Sequence, residues 1–549
     1  MFSLQSPPRA VPQALAADVL FDGRIALAGA DRIAKAHPDR RPGSDGDLAT
    51  AGTVASSLRA QHFAVTVDRF REEEKDLVNV VGRRIGESTR QLVVIAPRDA
   101  DRVPDRAGSA ADTASLLEIA RTLEGRVTQK TLVLASVDGS TLGSSGARRL
   151  AGQLAGSGPV EAIVVLSDTG VAKARGTLLI PWSDTTVRTG VRLQRTVGES
   201  LLQELPRGGA GRGPGTAAQF ARLAFPLGIG DQAPFLDQGF DALRLSGSGE
   251  LPPDTQPPPN ADRLGSIGRA TLRTVFAYDA GGRVDEKPSS YLLVGQKMLP
   301  RWSVALLVAA LLLPLIAAAI DAFARVRRRH EPVLPWLRWI GAGVVPFLVA
   351  LAVGEFLVLV GQAPDAPPAP LAPHVYPLDG AAWLTLGICT FFFVVTWLFA
   401  RPSLAGHVPA PDSPGAGAAL ALVLSVVSIA VWVVNPFAAL ALLPASHLWL
   451  LVTASPVPPS RPAGLGLIAA GLLVPLLICL SVLTRLSLGP LSGLWYGFLL
   501  MTGHHVGLYT TLTGAVLLTC LAAAVRIAVA RKPPPRTEPE QRTRLYLEV

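Results

Sequence analysis

Four acids and one amide in the first half of the chain stand where an α/β protein gathers its chemistry. Pro97-Arg98-Asp99 follows the apolar run Gln91–Ala96, Asp138-Gly139-Ser140 follows Thr131–Ser136, and Asp168 follows Ala162–Ser167. Asp112 falls in the opening turn of Ala110–Leu123, a segment with helical spacing, and Gln232 lies within Gly230-Asp231-Gln232-Ala233-Pro234-Phe235. Carboxylates grouped in this way attract cations. Asp99, Asp112, Asp138 and Asp168 would form a hard, oxygen-only donor set, better suited to calcium or magnesium than to zinc. Arg98 would neutralise part of their charge, and no evident general base stands among them. Plain structural roles compete: Asp112 as a helix cap, Asp168 as the turn that closes a strand. Zinc at a hydrolytic site is held by His or Cys together with acids. Before Trp302 the histidines are His37 and His62, neither at a strand end, and Cys389, Cys479 and Cys520 all fall in later apolar runs.

These residues need a sheet to position them. Ala64–Phe70 and Asn79–Ile85 read as strands, and Gln91–Ala96, Thr131–Ser136 and Ala162–Ser167 as buried strands. Ala242–Leu245 reads as a late strand; Leu48–Gln61, Ala110–Leu123 and the stretch through Arg148-Arg149-Leu150 read as helices. Such alternation predicts an α/β sandwich around a central, mostly parallel sheet. Its active groups are expected beyond the carboxyl ends of the strands.

The rest of the chain belongs to a different solvent. Of 549 residues 49% are apolar and only 17% charged, where a soluble domain carries about 25% charged residues. Seven runs reach the length of roughly 20 residues that a membrane helix needs. They are Trp302–Phe323, Trp339–Val360, Ala381–Phe399, Ala418–Val434, Phe437–Ala454, Gly464–Leu483 and Gly507–Val529, with Asn435-Pro436 turning between the fourth and fifth. Leu491–Met501 is too short to cross and reads as interfacial or re-entrant. The expected domains are 1–300 (α/β), 301–530 (a bundle of about seven membrane helices) and 531–549 (a polar tail). Arg325, Arg327, Arg328 and Arg329 follow the first run, Arg531 and Lys532 follow the last, and the Pro-rich loop Gly361–Asp379 has no Lys or Arg. The positive-inside rule then puts the tail in the cytoplasm and the α/β domain outside the cell membrane. The opening MFSLQSPPRAVP lacks a charged segment followed by an apolar one, so export suggests a further anchor before it. Asp321 can meet the arginines near it. Glu355 and His447, ionisable groups inside predicted spans, are candidates for a function in the membrane. The net charge of +9 is concentrated at span ends, and neither zinc-finger spacing nor a basic–aromatic stripe accompanies it, so nucleic acid is not an expected partner.

From about Phe21 to Tyr278 the chain resembles peptidase family M28, the zinc aminopeptidases. Pro38-Asp39-Arg40-Arg41-Pro42-Gly43-Ser44 is similar to that family's opening segment, and Asn79-Val80-Val81-Gly82 to its next strand. The resemblance implies two zinc ions, held by two His, two Asp and a Glu, with a second Glu as general base. Asp112 matches the bridging Asp, although Thr113 stands where the family has Asn. Asp168 matches the strand-end ligand, and Asp99 the Asp of His-x-Asp. Pro97 occupies the first His position and Gln232 the last. Asp138-Gly139 stands where the Glu pair belongs, and Gly143-Ser144 fits the segment after it. The ligand set is therefore incomplete: no cofactor is expected, Asp112 and Asp168 remain as candidate metal ligands, and Asp99, Asp138, Gln232 and Arg98 as a vestigial pocket.

An M28-like domain followed by several spans also resembles, in architecture, the M28-like subunit of the GPI transamidase complex. The expected function is binding or assembly at the outer membrane surface by a catalytically degenerate peptidase homologue, with membrane lipid around it and a peptide or protein as partner. The alternatives are an active membrane metallopeptidase with unusual ligands, and a transporter or lipid-handling protein that works through Glu355 and His447.

Overall fold

The computed structural model describes residues 4–12, 20–205, 213–365, 369–455 and 459–530. The predicted tail, 531–549, lies outside the described residues. The chain divides into two compact units. The first takes in Met1–Ser303 together with Pro364–Asp379 and Ser481–His505; the second takes in the remaining segments.

The first unit is built on seven strands: β1 (Ala64–Glu72), β2 (Lys75–Arg84), β3 (Ser88–Pro97), β4 (Lys130–Val137), β5 (Val160–Ser167), β6 (Leu179–Ile180) and β7 (Ala242–Ser246), in the order β1-β2-β4-β3-β5-β7-β6. The central strands β4, β3, β5 and β7 run parallel. β1 and β2 pair antiparallel on one side and β6 on the other. A separate hairpin joins β8 (Tyr291–Val294) to β9 (Lys297–Pro300). The helices are α1 (Gly23–Ala36), α2 (Asp45–Ala60), α3 (Ser109–Thr122), α4 (Ser145–Leu154), α5 (Val191–Glu204), α6 (Thr216–Ala224), α7 (Ala233–Asp237) and α8 (Ala261–Ala280).

The apolar runs explain why the sheet lies between two helical layers. Successive residues on a strand point to opposite faces. Leu92, Val94 and Ala96 of β3, with Leu132 and Leu134 of β4, pack against α1, α2, α3, α5 and α8. Val93 and Ile95, with Val133, Ala135 and Val137, pack against α4 and α7. Strands buried on both faces read as continuous apolar runs. The outer strand β1, half exposed, carries Asp68, Arg69, Arg71 and Glu72, charges that discourage pairing with another edge. The sequence reading does not anticipate α1, α5 or α8. The buried face of α8 includes Gly, Ser and Thr as well as larger apolar residues, which blurs its hydrophobic period, and that of α1 is mostly Gly and Ala. Small residues are required there: a Cβ on Gly23 would lie 2.2 Å from the Ala261 carbonyl oxygen.

The second unit holds the long apolar helices. Among the described residues seven helices are long and apolar enough to cross a membrane: Arg301–Arg328, Leu334–Leu359, Gly380–Ala405, Pro414–Val434, Pro436–Thr453, Arg461–Arg485 and Leu508–Ala530. They coincide with the seven predicted runs, and the chain is accordingly an α/β domain joined to an apolar helical bundle. Asn435 caps the fifth: its side chain accepts from the N–H groups of Phe437 and Ala438 at 3.0 and 3.1 Å, and Pro436 fills the first helical position, where no N–H is needed. Ala416, Ala419, Ala523 and Ala524 are buried around Trp336 and Trp449, small residues that let helix backbones approach. Asp321 pairs with Arg325 at 2.5 Å, one turn away. Glu355 is half-buried in its helix. His447 Nδ1 lies 2.9 Å from the Leu443 carbonyl of its own helix. The short run at 491–501 forms a 13-residue helix, Pro490–Thr502, which belongs to the first unit.

Candidate functional site

The opening segment 38–44 builds the floor of the site. Ser44 caps α2, and its hydroxyl donates to the Asp39 carbonyl at 3.0 Å. Arg40 is fully buried. Its guanidinium donates to the Pro104 carbonyl at 2.9 Å and to the Ser109 hydroxyl at 3.0 Å. The arginine thus ties the loop after β3 to the first turn of α3, the turn that carries Asp112.

At the end of β3 the chain splits its charges. Arg98 turns toward α2 and β2. It makes a two-pronged pair with Asp47 at 2.9 and 2.8 Å, meets Asp138 at 3.2 Å and donates to the Val78 carbonyl at 2.8 Å. Asp138 also accepts from the N–H groups of Val78 and Gly139 at 2.9 and 2.7 Å. Arg98, Asp47 and Asp138 are all buried. Burial pushes the Asp138 carboxyl up against the pull of Arg98, and the charge of Asp47 adds to the rise.

Asp99 turns the other way, into a cavity of about 140 Å³ at the carboxyl ends of the parallel strands. Its oxygens accept from the N–H groups of Ser140 and Thr141, both at 2.9 Å, and from the Thr141 hydroxyl at 2.7 Å. Asp112 does not cap its own helix. Its two oxygens instead accept from the N–H groups of Asp168 and Thr169 at 2.9 and 2.8 Å. The left-handed backbone of Asp168, φ 53°, is a conformation that Asp tolerates better than most residues. Asp168 itself accepts from the Ser248 hydroxyl at 2.6 Å. Asp231 is 4% exposed; one oxygen accepts from the Ser140 hydroxyl at 2.6 Å and the other, Oδ1, makes no hydrogen bond. Asp101, Asp105, Arg244 and His374 complete the charged lining. His374, on the segment between the second and third apolar helices, places Nε2 2.7 Å from Asp101.

Six carboxyl groups thus face one guanidinium and one imidazole. Burial pushes the Asp99 and Asp168 carboxyls up to about 6. Asp112 is raised well above the usual range by burial and then by the charge of Asp168. Burial also raises Asp231, against the hydroxyl of Ser140.

Of the sequence candidates, Asp99, Asp112 and Asp168 share this cavity, while Arg98, Asp138 and Gln232 are absent from its lining. Gln232 is fully buried, and its amide donates to the Trp182 and Ile229 carbonyls at 2.9 and 3.2 Å. Sequence reasoning missed Asp101, Asp105, Asp231, Arg244 and His374. Arg244 carried a signal: a charge inside the apolar run Ala242–Ser246 needs a buried partner. His374 carried none, because nothing local ties its loop to the α/β unit.

The two zinc ions implied by the family resemblance do not fit these residues. Among the described residues no group of three or more His, Cys, Asp or Glu is arranged to hold a metal ion. Pro97 and Gln232 stand at the family's two His positions and supply no imidazole, and the imidazole of His374 is paired with Asp101.

No family model matches the sequence, and no curated protein matches it. Solved structures match about half of the chain. A glutaminyl cyclase from an Acidobacteriales bacterium is 16% identical at a TM-score of 0.38, over 50% of this chain and 97% of that chain. BSAP, a zinc aminopeptidase from Bacillus subtilis, is 13% identical at 0.37, over 49% and 98%. A Macrostomum lignano glutaminyl cyclase is 16% identical at 0.38, over 51% and 97%. Likeness at this level says nothing about chemistry.

Proposed function

We propose that this chain is a multi-pass membrane protein whose α/β unit acts as a binding module for the cationic end of a peptide or protein partner, without zinc-dependent catalysis. One observation carries the reading. Six carboxyl groups line a cavity of about 140 Å³, and the buried Asp231 has an oxygen there with no donor. An amino terminus supplies three N–H donors and a positive charge, and the cavity has room for several water-sized groups. The ligand's charge would offset the mutual repulsion of Asp112 and Asp168.

Full-length protein should gain thermal stability from a dipeptide amide with a free amino terminus, and none from the same peptide N-acetylated. Asp231→Asn is expected to weaken the response about tenfold, as loss of a charge-assisted hydrogen bond would. Equal responses to both peptides would sink the reading. Stoichiometric zinc with chelator-sensitive peptide cleavage would replace it with the metallopeptidase alternative.

We further place the α/β unit outside the cell membrane and the C-terminus in the cytoplasm. The arginines after the first span support this side. Strict alternation of seven spans puts the segments before 301, around 361–379 and around 484–507 on one side, and these are the segments that gather into the first unit. A cysteine introduced at Val127, 84% exposed, should react with a membrane-impermeant maleimide added to intact cells. Labelling only after lysis would reverse the orientation.

A further inference from the structure

A second cavity of the first unit, about 440 Å³, shares no lining residue with the acidic one. Its wall contains Arg175, Arg222 and Arg485, the hydroxyl residues Thr177, Ser481, Thr484 and Ser487, and one acid, Glu250. All of these residues belong to the first unit. Arg175 is already paired, with Asp254. Arg222 is 5% exposed; it pairs with Glu250, donates to the Leu227 carbonyl at 3.0 Å and lies 5.2 Å over the ring of Trp182. Arg188 covers the same ring at 4.4 Å, and Arg244 donates to the Glu250 carbonyl at 2.8 Å. Glu250 is therefore the acid shared by Arg222 and Arg485.

It does not satisfy them. Arg485 Nε stands 3.7 Å from Glu250, beyond hydrogen-bonding range. Nε and Nη2 of Arg485, both shielded from solvent, make no hydrogen bond. Buried N–H groups without acceptors are costly, and more so when charged. Burial, and then the charges of Arg485, Arg244 and Arg188, hold the Arg222 guanidinium well below its ordinary value, as expected for positive charge in excess. A tetrahedral oxyanion would supply several acceptors at once, and guanidinium groups match phosphate geometry two bonds at a time. Glu250 Oε1 is also buried without a hydrogen bond, so the pair as it stands leaves donors of Arg485 unmet.

The location narrows the source. Ser481, Thr484 and Arg485 form the last turn of the apolar helix Arg461–Arg485. A span's last turn lies at headgroup depth, where arginines meet lipid phosphates. We propose that this pocket binds a phosphate group, with Arg485 as its principal ligand and Arg222 behind it. An anionic phospholipid headgroup is the source that the helix end favours.

The test uses full-length protein in phosphatidylcholine nanodiscs. Inorganic phosphate should raise the melting temperature above a chloride control of equal ionic strength. Nanodiscs containing phosphatidylglycerol should raise it too and abolish the further response to inorganic phosphate. Arg485→Gln is expected to weaken phosphate binding about tenfold, with Arg485→Lys between it and the wild type. Glu250→Gln removes the competing acceptor and should tighten binding, a gain that misfolding cannot imitate. A response to inorganic phosphate that phosphatidylglycerol leaves unchanged would support the pocket with a soluble ligand. No response beyond chloride, or a wild-type response in Arg485→Gln, would overturn it. Neither result bears on amine binding in the acidic cavity.

Discussion

Arg98→Ala is expected to destabilise the α/β unit by about 3–5 kcal/mol, the cost of removing one member of a buried ionic group. The guanidinium lies fully out of solvent between Asp47 and Asp138. Its removal leaves two buried carboxyl groups with no cation and also strands the Val78 carbonyl. The unit should melt about 8–15 °C lower, and strands β3 and β4 should lose hydrogen-exchange protection together. Adding Asp47→Asn and Asp138→Asn to Arg98→Met should recover part of the loss, because repulsion between stranded charges disappears. A loss below about 1 kcal/mol, the scale of an exposed pair, would show that Arg98 does not hold this end of the sheet together.

Lowering the pH from 7.5 to 5 should raise the melting temperature of the ligand-free protein by about 5–10 °C. Burial lifts the carboxyls of Asp99 and Asp168 from 3.8 to about 6. Between those values the folded protein keeps protons that the unfolded chain has released. Stability is then fully present below about 4 and declines as the pH climbs through about 6. Asp39 and Asp254, held below the usual range by Arg41 and Arg175, work in the opposite sense. They are exposed, and their small contribution disappears only below about 4. Asp168→Asn should flatten the profile and melt higher than the wild type at pH 7.5. A melting temperature that is level or rising from pH 5 to 7.5, in the presence of a chelator, would contradict this account. Its success would mean that the acids persist despite their cost to folding, as expected where binding rather than stability retains them.

The sequence by itself determined the buried strands and the long apolar helices, though not α1, α5 or α8. Apolar runs such as Leu92–Ala96 and Thr131–Ser136 had to be buried strands, and seven longer runs had to be helices in an apolar solvent, since backbone hydrogen bonding in lipid leaves few other forms. It also placed Asp99, Asp112 and Asp168 near one edge of the sheet, because parallel strands share a carboxyl end. Tertiary structure decided which way each of these residues turned. Arg98 and Asp99 are neighbours in the loop that follows β3 and face opposite ways, Arg98 held by Asp47 and Asp138 and Asp99 by Ser140 and Thr141; one builds the interior and the other lines the cavity. Tertiary structure also brought in His374 and the helix Pro490–Thr502, from segments between apolar helices. Their hydrogen bonds, His374 to Asp101 and Tyr496 to the Leu371 carbonyl, join residues more than 100 positions apart. Periodicity and composition are local signals, and pairings of that range leave no trace in them.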